Sequence, residues 1–220
     1  VIAMHNADPI REPQQFAAWH DEGVRVVAPG WTASRYCGSV IDNPGPLTAD
    51  GDELLEVMAD LGVLLDLTHM PEAAYFEALE RYPGGVIVSH SAPRHFRDTP
   101  RHLSDAMLRR LAEHDGVMGL AVSNFMLSRD WYAGARKGTV TLAHVLDALD
   151  YVCQVTGSAA HVGLGSGFDS GHGAEAIPAA FDSVADLLGI AAGLRERGFS
   201  DDDIHAIMSD NFLRKLREAL

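Results

Sequence analysis

The chain has 220 residues, 47% of them hydrophobic and 22% charged, which excludes disorder for its bulk and leaves ample apolar material for a large core. Its 17 Lys and Arg against 31 Asp and Glu give a net charge of −14, which argues against nucleic acid as a partner, since a phosphate backbone needs clustered positive charge. No stretch approaches the roughly 18 uncharged apolar residues of a membrane span. With Asp8, Arg11 and Glu12, the N-terminal stretch is also unlike a signal peptide.

Six short aliphatic runs read as strands: Val1–Met4, Val24–Ala28, Val63–Leu67, Gly85–Ser89, Val117–Val122 and His161–Gly165. Between the second and third, Leu54, Leu55, Met58 and Leu61 recur at helical spacing, with Thr48 as N-cap and Gly62 as the stop. Ser104 caps a helix carrying Met107, Leu108 and Leu111. Leu142, Val145, Leu146, Leu149 and Val152 form one face of another, and Ser200-x-x-Asp203 has the form of a capping box. Continuous apolar strands that alternate with helices indicate a parallel sheet buried on both faces. Periodicity alone leaves a (β/α)8 barrel and an open doubly wound sheet both open.

Polar residues collect where these runs end. His5 follows the first, Asp66, Thr68 and His69 the third, Ser89, His90 and Ser91 the fourth, and Ser166, Phe168 and Asp169 the last. Ligands in parallel α/β folds bind outside the carboxyl ends of the strands. His69 and His90 end successive predicted strands, and converging neutral imidazoles suit Zn²⁺. Seven other histidines (His20, His95, His102, His114, His144, His161 and His205) lie in helical or loop contexts and read as structural or surface residues. Cys37 and Cys153 form no CxxC pair, so no disulfide framework is expected, and a reducing, cytoplasmic setting follows.

The ordered motifs resemble the membrane (renal) dipeptidases, zinc-dependent hydrolases with a (β/α)8 TIM-barrel-type fold. They are Leu47–Gly51 with Gly62–His69, then Val86–Ser91, Arg101–Asp105, Gly163–Ser170, Arg197–Ser200 and Asn211–Arg214. The resemblance implies that residues 1–220 form one barrel domain, short of its first strand on the N-terminal side. It implies that His69 and His90 are ligands of the second zinc of a two-metal site. It also implies that Arg101 holds the substrate's terminal carboxylate, a role that suits a bidentate guanidinium.

Several positions depart from the family pattern. The bridging glutamate falls on His5, or on Asn6 with a one-residue slip; a histidine near the scissile bond falls near Trp31; and an aspartate is replaced by Gly167, leaving Asp169 as the acid there. Two metals about 3.5–4 Å apart normally share a bridging carboxylate, which His5 is not. The expectation is therefore at most one zinc, on His69, His90 and His5, with Asp169 as the catalytic acid or base. The implied activity is a weakened metal-dependent hydrolysis of dipeptides or related small amides, in a homo-oligomer. The alternative is an inactive relative with a binding or structural role, or a fragment of a longer dipeptidase.

Overall fold

The computed structural model describes residues 1–31, 34–41, 43–168 and 173–220. The chain runs through β1 (Ile2–Met4), α1 (Phe16–Asp21), β2 (Val24–Val27), β3 (Cys37–Ser39), β4 (Asn43–Leu47), α2 (Ala49–Asp60), β5 (Leu64–Asp66), α3 (Glu72–Arg81) and β6 (Val86–Ser91). It continues with α4 (Asp105–Glu113), β7 (Val117–Leu120), α5 (Asn124–Leu127), α6 (Leu142–Thr156), β8 (Val162–Leu164), α7 (Leu188–Glu196), α8 (Asp201–His205) and α9 (Asn211–Glu218). All six predicted runs are strands, in the sheet order β1-β2-β5-β6-β7-β8. The pairs β1–β2, β2–β5, β5–β6 and β7–β8 are parallel, with Ala3 opposite Val26, Val26 opposite Leu64, and Leu65 opposite Val86.

The helix ends show why these segments start and stop where they do. Thr48 Oγ1 accepts from the Gly51 N–H at 3.0 Å, and Gly62 follows the end of α2 with φ +68°, where a side chain would be strained. Thr141 and His144 close a capping box on α6, the imidazole standing where Glu or Gln is usual, and Gly157 ends that helix in the left-handed region. Ser200 caps α8 by accepting from Asp203 N–H at 3.1 Å.

Two compact units divide the chain, and the division passes through β6, between Ser89 and His90, and through β7. The first unit comprises Val1–Ser89, Arg109–Val117 and Leu213–Leu220. Its core is built on Leu54 and Met58 of α2, Leu64 and Leu65 of β5, and Tyr75 and Leu79 of α3, all buried. The second comprises His90–Leu108 and Met118–Phe212. Here Val145, Leu149 and Val152 of α6 are buried with Val162, Ile190 and Leu194, and the Asn211 side-chain amide donates to the carbonyls of Ala159 and Val162, both at 2.8 Å.

The antiparallel hairpin β3–β4 has no counterpart in the sequence reading. Pro44 and Pro46 lack the N–H that a ladder uses, so Asn43–Leu47 does not read as a strand. It forms one by pairing only with β3, in a two-stranded sheet of its own.

Candidate metal centre

Asp66, the last residue of β5, is buried, and its Oδ1 accepts from the N–H of Thr68 at 3.0 Å and of Ser89 at 2.9 Å. The Thr68 and Ser89 hydroxyls lie 3.2 Å apart. One carboxylate thus ties the end of β5 to β6, three residues before His69 and one before His90. Beyond it the chain turns: Met70 N–H donates to the Leu67 carbonyl at 3.2 Å, and His69, the third residue of that turn, has φ +70°. Such a position favours Gly or Asn, and a histidine there costs of order 1 kcal/mol. The strain is held by its surroundings: the His69 carbonyl accepts from Val40 N–H in the hairpin loop at 3.4 Å.

Around this turn three rings gather. The His5 ring, next after β1, lies 5.1 Å from that of His69 between centroids. Trp31 stacks on His5 at 6.1 Å with 24° between planes and meets His69 edge-on at 6.3 Å. Ser39 Oγ donates to the Trp31 carbonyl at 3.1 Å, so the hairpin holds this wall of the site too.

One ring nitrogen each from His5, His69 and His90 lies within 4.8 Å of the others; His5 is exposed, His69 buried and His90 half-buried. Two imidazole nitrogens on one zinc are about 3.4 Å apart at the tetrahedral angle, given Zn–N bonds of about 2.1 Å. A donor set of three imidazoles fits a zinc-like ion, and among the described residues no carboxylate joins the cluster. The alternative position, Asn6, is engaged elsewhere: its side chain bonds both the Asp8 carboxylate and the Asp8 N–H, each at 3.3 Å.

Arg101 Nη2 donates to the His90 carbonyl at 2.6 Å, and Ser91 Oγ donates to the Arg101 carbonyl at 3.1 Å. The guanidinium is thereby anchored to the backbone of a candidate ligand. Asp169 lies outside the described residues. Gly167 is exposed with φ +64°. Among the remaining histidines, His102 is fully buried, its ring nitrogens engaged with Thr99 Oγ1 at 2.7 Å and the Met126 carbonyl at 3.1 Å. Burial, aided by the charges of Arg101, Arg97 and Arg94, pushes its pKa down to about 4, so it is neutral and donates Nε2–H to Met126. His144 caps α6 and His95 stacks on Tyr151 at 4.4 Å. The Asp66 clamp and the Trp31 wall were not assigned from sequence, because their partners lie on other strands. The signal for Asp66 was its place at a strand end beside Thr68.

The profile of the membrane dipeptidase family, peptidase family M19, matches residues 1–220. The chain belongs to this family. A Klebsiella pneumoniae protein described as uncharacterized, in the pqqA 5′ region, is 28% identical over 214 residues, covering 94% of this chain and 76% of that protein. The crystal structure of the probable dipeptidase PvdM from Pseudomonas aeruginosa superposes with a TM-score of 0.89 at 23% identity, over 100% of this chain and 68% of that one. A Rhodobacter sphaeroides metallo peptidase, solved with a phosphinate mimic of the dipeptide L-Ala-D-Ala, gives 0.86 at 23% identity, over 100% and 63%. These likenesses give the chain an α/β fold of the TIM-barrel type. The chain spans 36% to 54% of the length of several other family dipeptidases it matches. No helix among the described residues is long and apolar enough to cross a membrane.

Proposed function

We propose that this chain carries the active centre of a metal-dependent hydrolase acting on dipeptides or related small amides, with one divalent ion rather than two. The observation that carries the reading is the convergence of His5, His69 and His90, in a member of a metallopeptidase family. A zinc ion bound there would supply Lewis acidity and lower the pKa of water toward neutrality. Around it the chain's own residues divide the remaining work. Asp66 holds the two strand ends in register, so the imidazoles are preorganised. Trp31 walls one side by stacking on the His5 ring. Arg101, anchored on His90, is the proposed binder of the substrate's terminal carboxylate, which would set the scissile amide near the imidazoles. Asp169 is the proposed group that passes the proton from water to the leaving amine as the C–N bond breaks.

The substrate mimic bound by the Rhodobacter enzyme supports a dipeptide-sized ligand here. Two free cysteines, Cys37 and Cys153, fit a reducing, cytoplasmic setting. A homo-oligomer is the proposed assembly: Val184 and Leu188, 70% and 72% exposed, offer apolar surface that a second copy would cover. Light scattering that shows a stable monomer at micromolar concentration removes that last element.

The central test is metal content together with dipeptide hydrolysis. Purified protein loaded with Zn²⁺ is expected to hold close to one ion per chain, and His69→Ala close to none. A stoichiometry near two, or binding unchanged by His69→Ala, contradicts the reading. So does an absence of any zinc-dependent hydrolysis across a panel of dipeptides.

A further inference from the structure

In a chain of net charge −14, one short segment of the second unit carries three arginines against a single acid. Between Arg94 and His102 stand Arg94, Arg97 and Arg101, with Asp98 the single acid. Each guanidinium is steered by main-chain carbonyls. Arg94 Nη2 donates to His102 O at 3.3 Å, with Asp98, 90% exposed, 3.9 Å from its Nε. Arg97 Nη1 donates to Ser128 O at 3.0 Å and to Trp131 O at 3.1 Å. Arg101 reaches His90 O, as described, and Arg129 Nη2 donates to His95 O at 3.1 Å. Carbonyls fix the direction of the Arg97 guanidinium without neutralising its charge.

Arg97 is the member with most left to offer. It is half-buried, its Cζ lying 4.1 Å above the centre of the Phe125 ring. Among the described residues no carboxylate pairs with it, and its bonds to Ser128 and Trp131 both use Nη1, which leaves the Nε–Nη2 edge toward which a carboxylate docks in bidentate fashion. A partly desolvated, unneutralised guanidinium is costly unless an anion completes it. The Phe125 ring that Arg97 covers lies 6.0 Å from the ring of His102, the residue next to Arg101, which places Arg97 on the Arg101 side of this segment.

We propose that Arg97, flanked by Arg94, is a second carboxylate subsite beside Arg101, so that the preferred ligand is a dipeptide-like molecule with an acidic side chain as well as a terminal carboxylate. The inference rests on the proposed hydrolase reading for the role of Arg101, and adds the side-chain class of the substrate. The negative field of the rest of the chain repels such a ligand, so this cluster is what admits it.

Gly-Glu and Gly-Gln are nearly isosteric and differ in that one charge. Calorimetric titration of the metal-free protein with each measures binding without turnover. Gly-Glu is expected to bind about tenfold tighter, the usual worth of a charge-assisted pair at a half-buried site. Arg97→Gln is expected to bring the ratio to about one, and Arg97→Lys, which keeps the charge but loses the fork, to leave a ratio of a few-fold. Melting curves establish that both variants fold, and if Arg97→Gln does not, Arg97→Lys decides by the same ratio. A ratio near one in the wild type, or one untouched by either substitution, overturns the proposal and leaves Arg97 as a tether of the 128–131 loop. The two readings fail separately: an intact ratio without zinc-dependent hydrolysis of any dipeptide refutes the enzyme, whereas hydrolysis with no ratio refutes the subsite.

Discussion

Mild acid provides a quantitative test of the packing around His102. Its imidazole is fully buried and bonded on both nitrogens, and burial, aided by the charges of Arg101, Arg97 and Arg94, brings its pKa from 6.5 to about 4 despite the Met126 bond. A histidine depressed in this way binds fewer protons folded than unfolded between those two values. Its contribution is therefore intact above pH 6.5 and is lost as the pH falls toward 4. Integrating the linkage relation from neutral pH to pH 5 gives a loss of about 2 kcal/mol from this one residue. Urea unfolding at pH 7.5 and pH 5.0, with chelator present so that the candidate metal ligands carry no ion, measures the decrement. In His102→Gln the decrement should shrink by about the same 2 kcal/mol, even though losing the Thr99 bond lowers stability at both pH values by roughly 1–3 kcal/mol. NMR provides an independent readout, since the His102 ring should keep neutral shifts down to pH 5. Equal decrements in the two proteins, or a ring that titrates near pH 6.5, would falsify this account of the buried cluster.

Other substitutions probe the clamp, the close approaches and the altered active-site position. Asp66→Ala leaves the N–H groups of Thr68 and Ser89 without their carboxylate and should cost about 3 kcal/mol of stability together with zinc affinity; urea midpoints and zinc titration read both, and unchanged zinc affinity would deny Asp66 a positioning role. Gly51→Ala should destabilise by about 1–3 kcal/mol despite alanine's higher helix propensity, because its Cβ would stand 2.1 Å from the Tyr36 carbonyl oxygen; a raised melting temperature would contradict the packing described. Gly167→Asp should raise dipeptide turnover less than tenfold, since no bridging carboxylate is restored and φ +64° disfavours a side chain there. A gain of a hundredfold or more in kcat/KM would show that this one carboxylate limits the reaction.

The sequence by itself determined the alternation of strands and helices, because burial on both faces writes continuous aliphatic runs such as Val86–Val88 into a parallel sheet. Caps are equally local, as Thr48 and Ser200 illustrate: the residue that accepts the bond lies three positions from the donor. The pairing of His69 with His90 was legible for a related reason, since residues that end successive strands share one edge of the sheet. What only the tertiary structure decided depends on contacts between distant segments. Asp66 finds Ser89 at a separation of 23 residues, the Pro-containing strand β4 exists only against β3, and Trp31 reaches His5 across a gap that no periodicity encodes. The left-handed backbone of His69 belongs with these, for its own residue type disfavours that conformation. It is supported by the bond from Val40, which forms only once the tertiary fold has brought that donor into place.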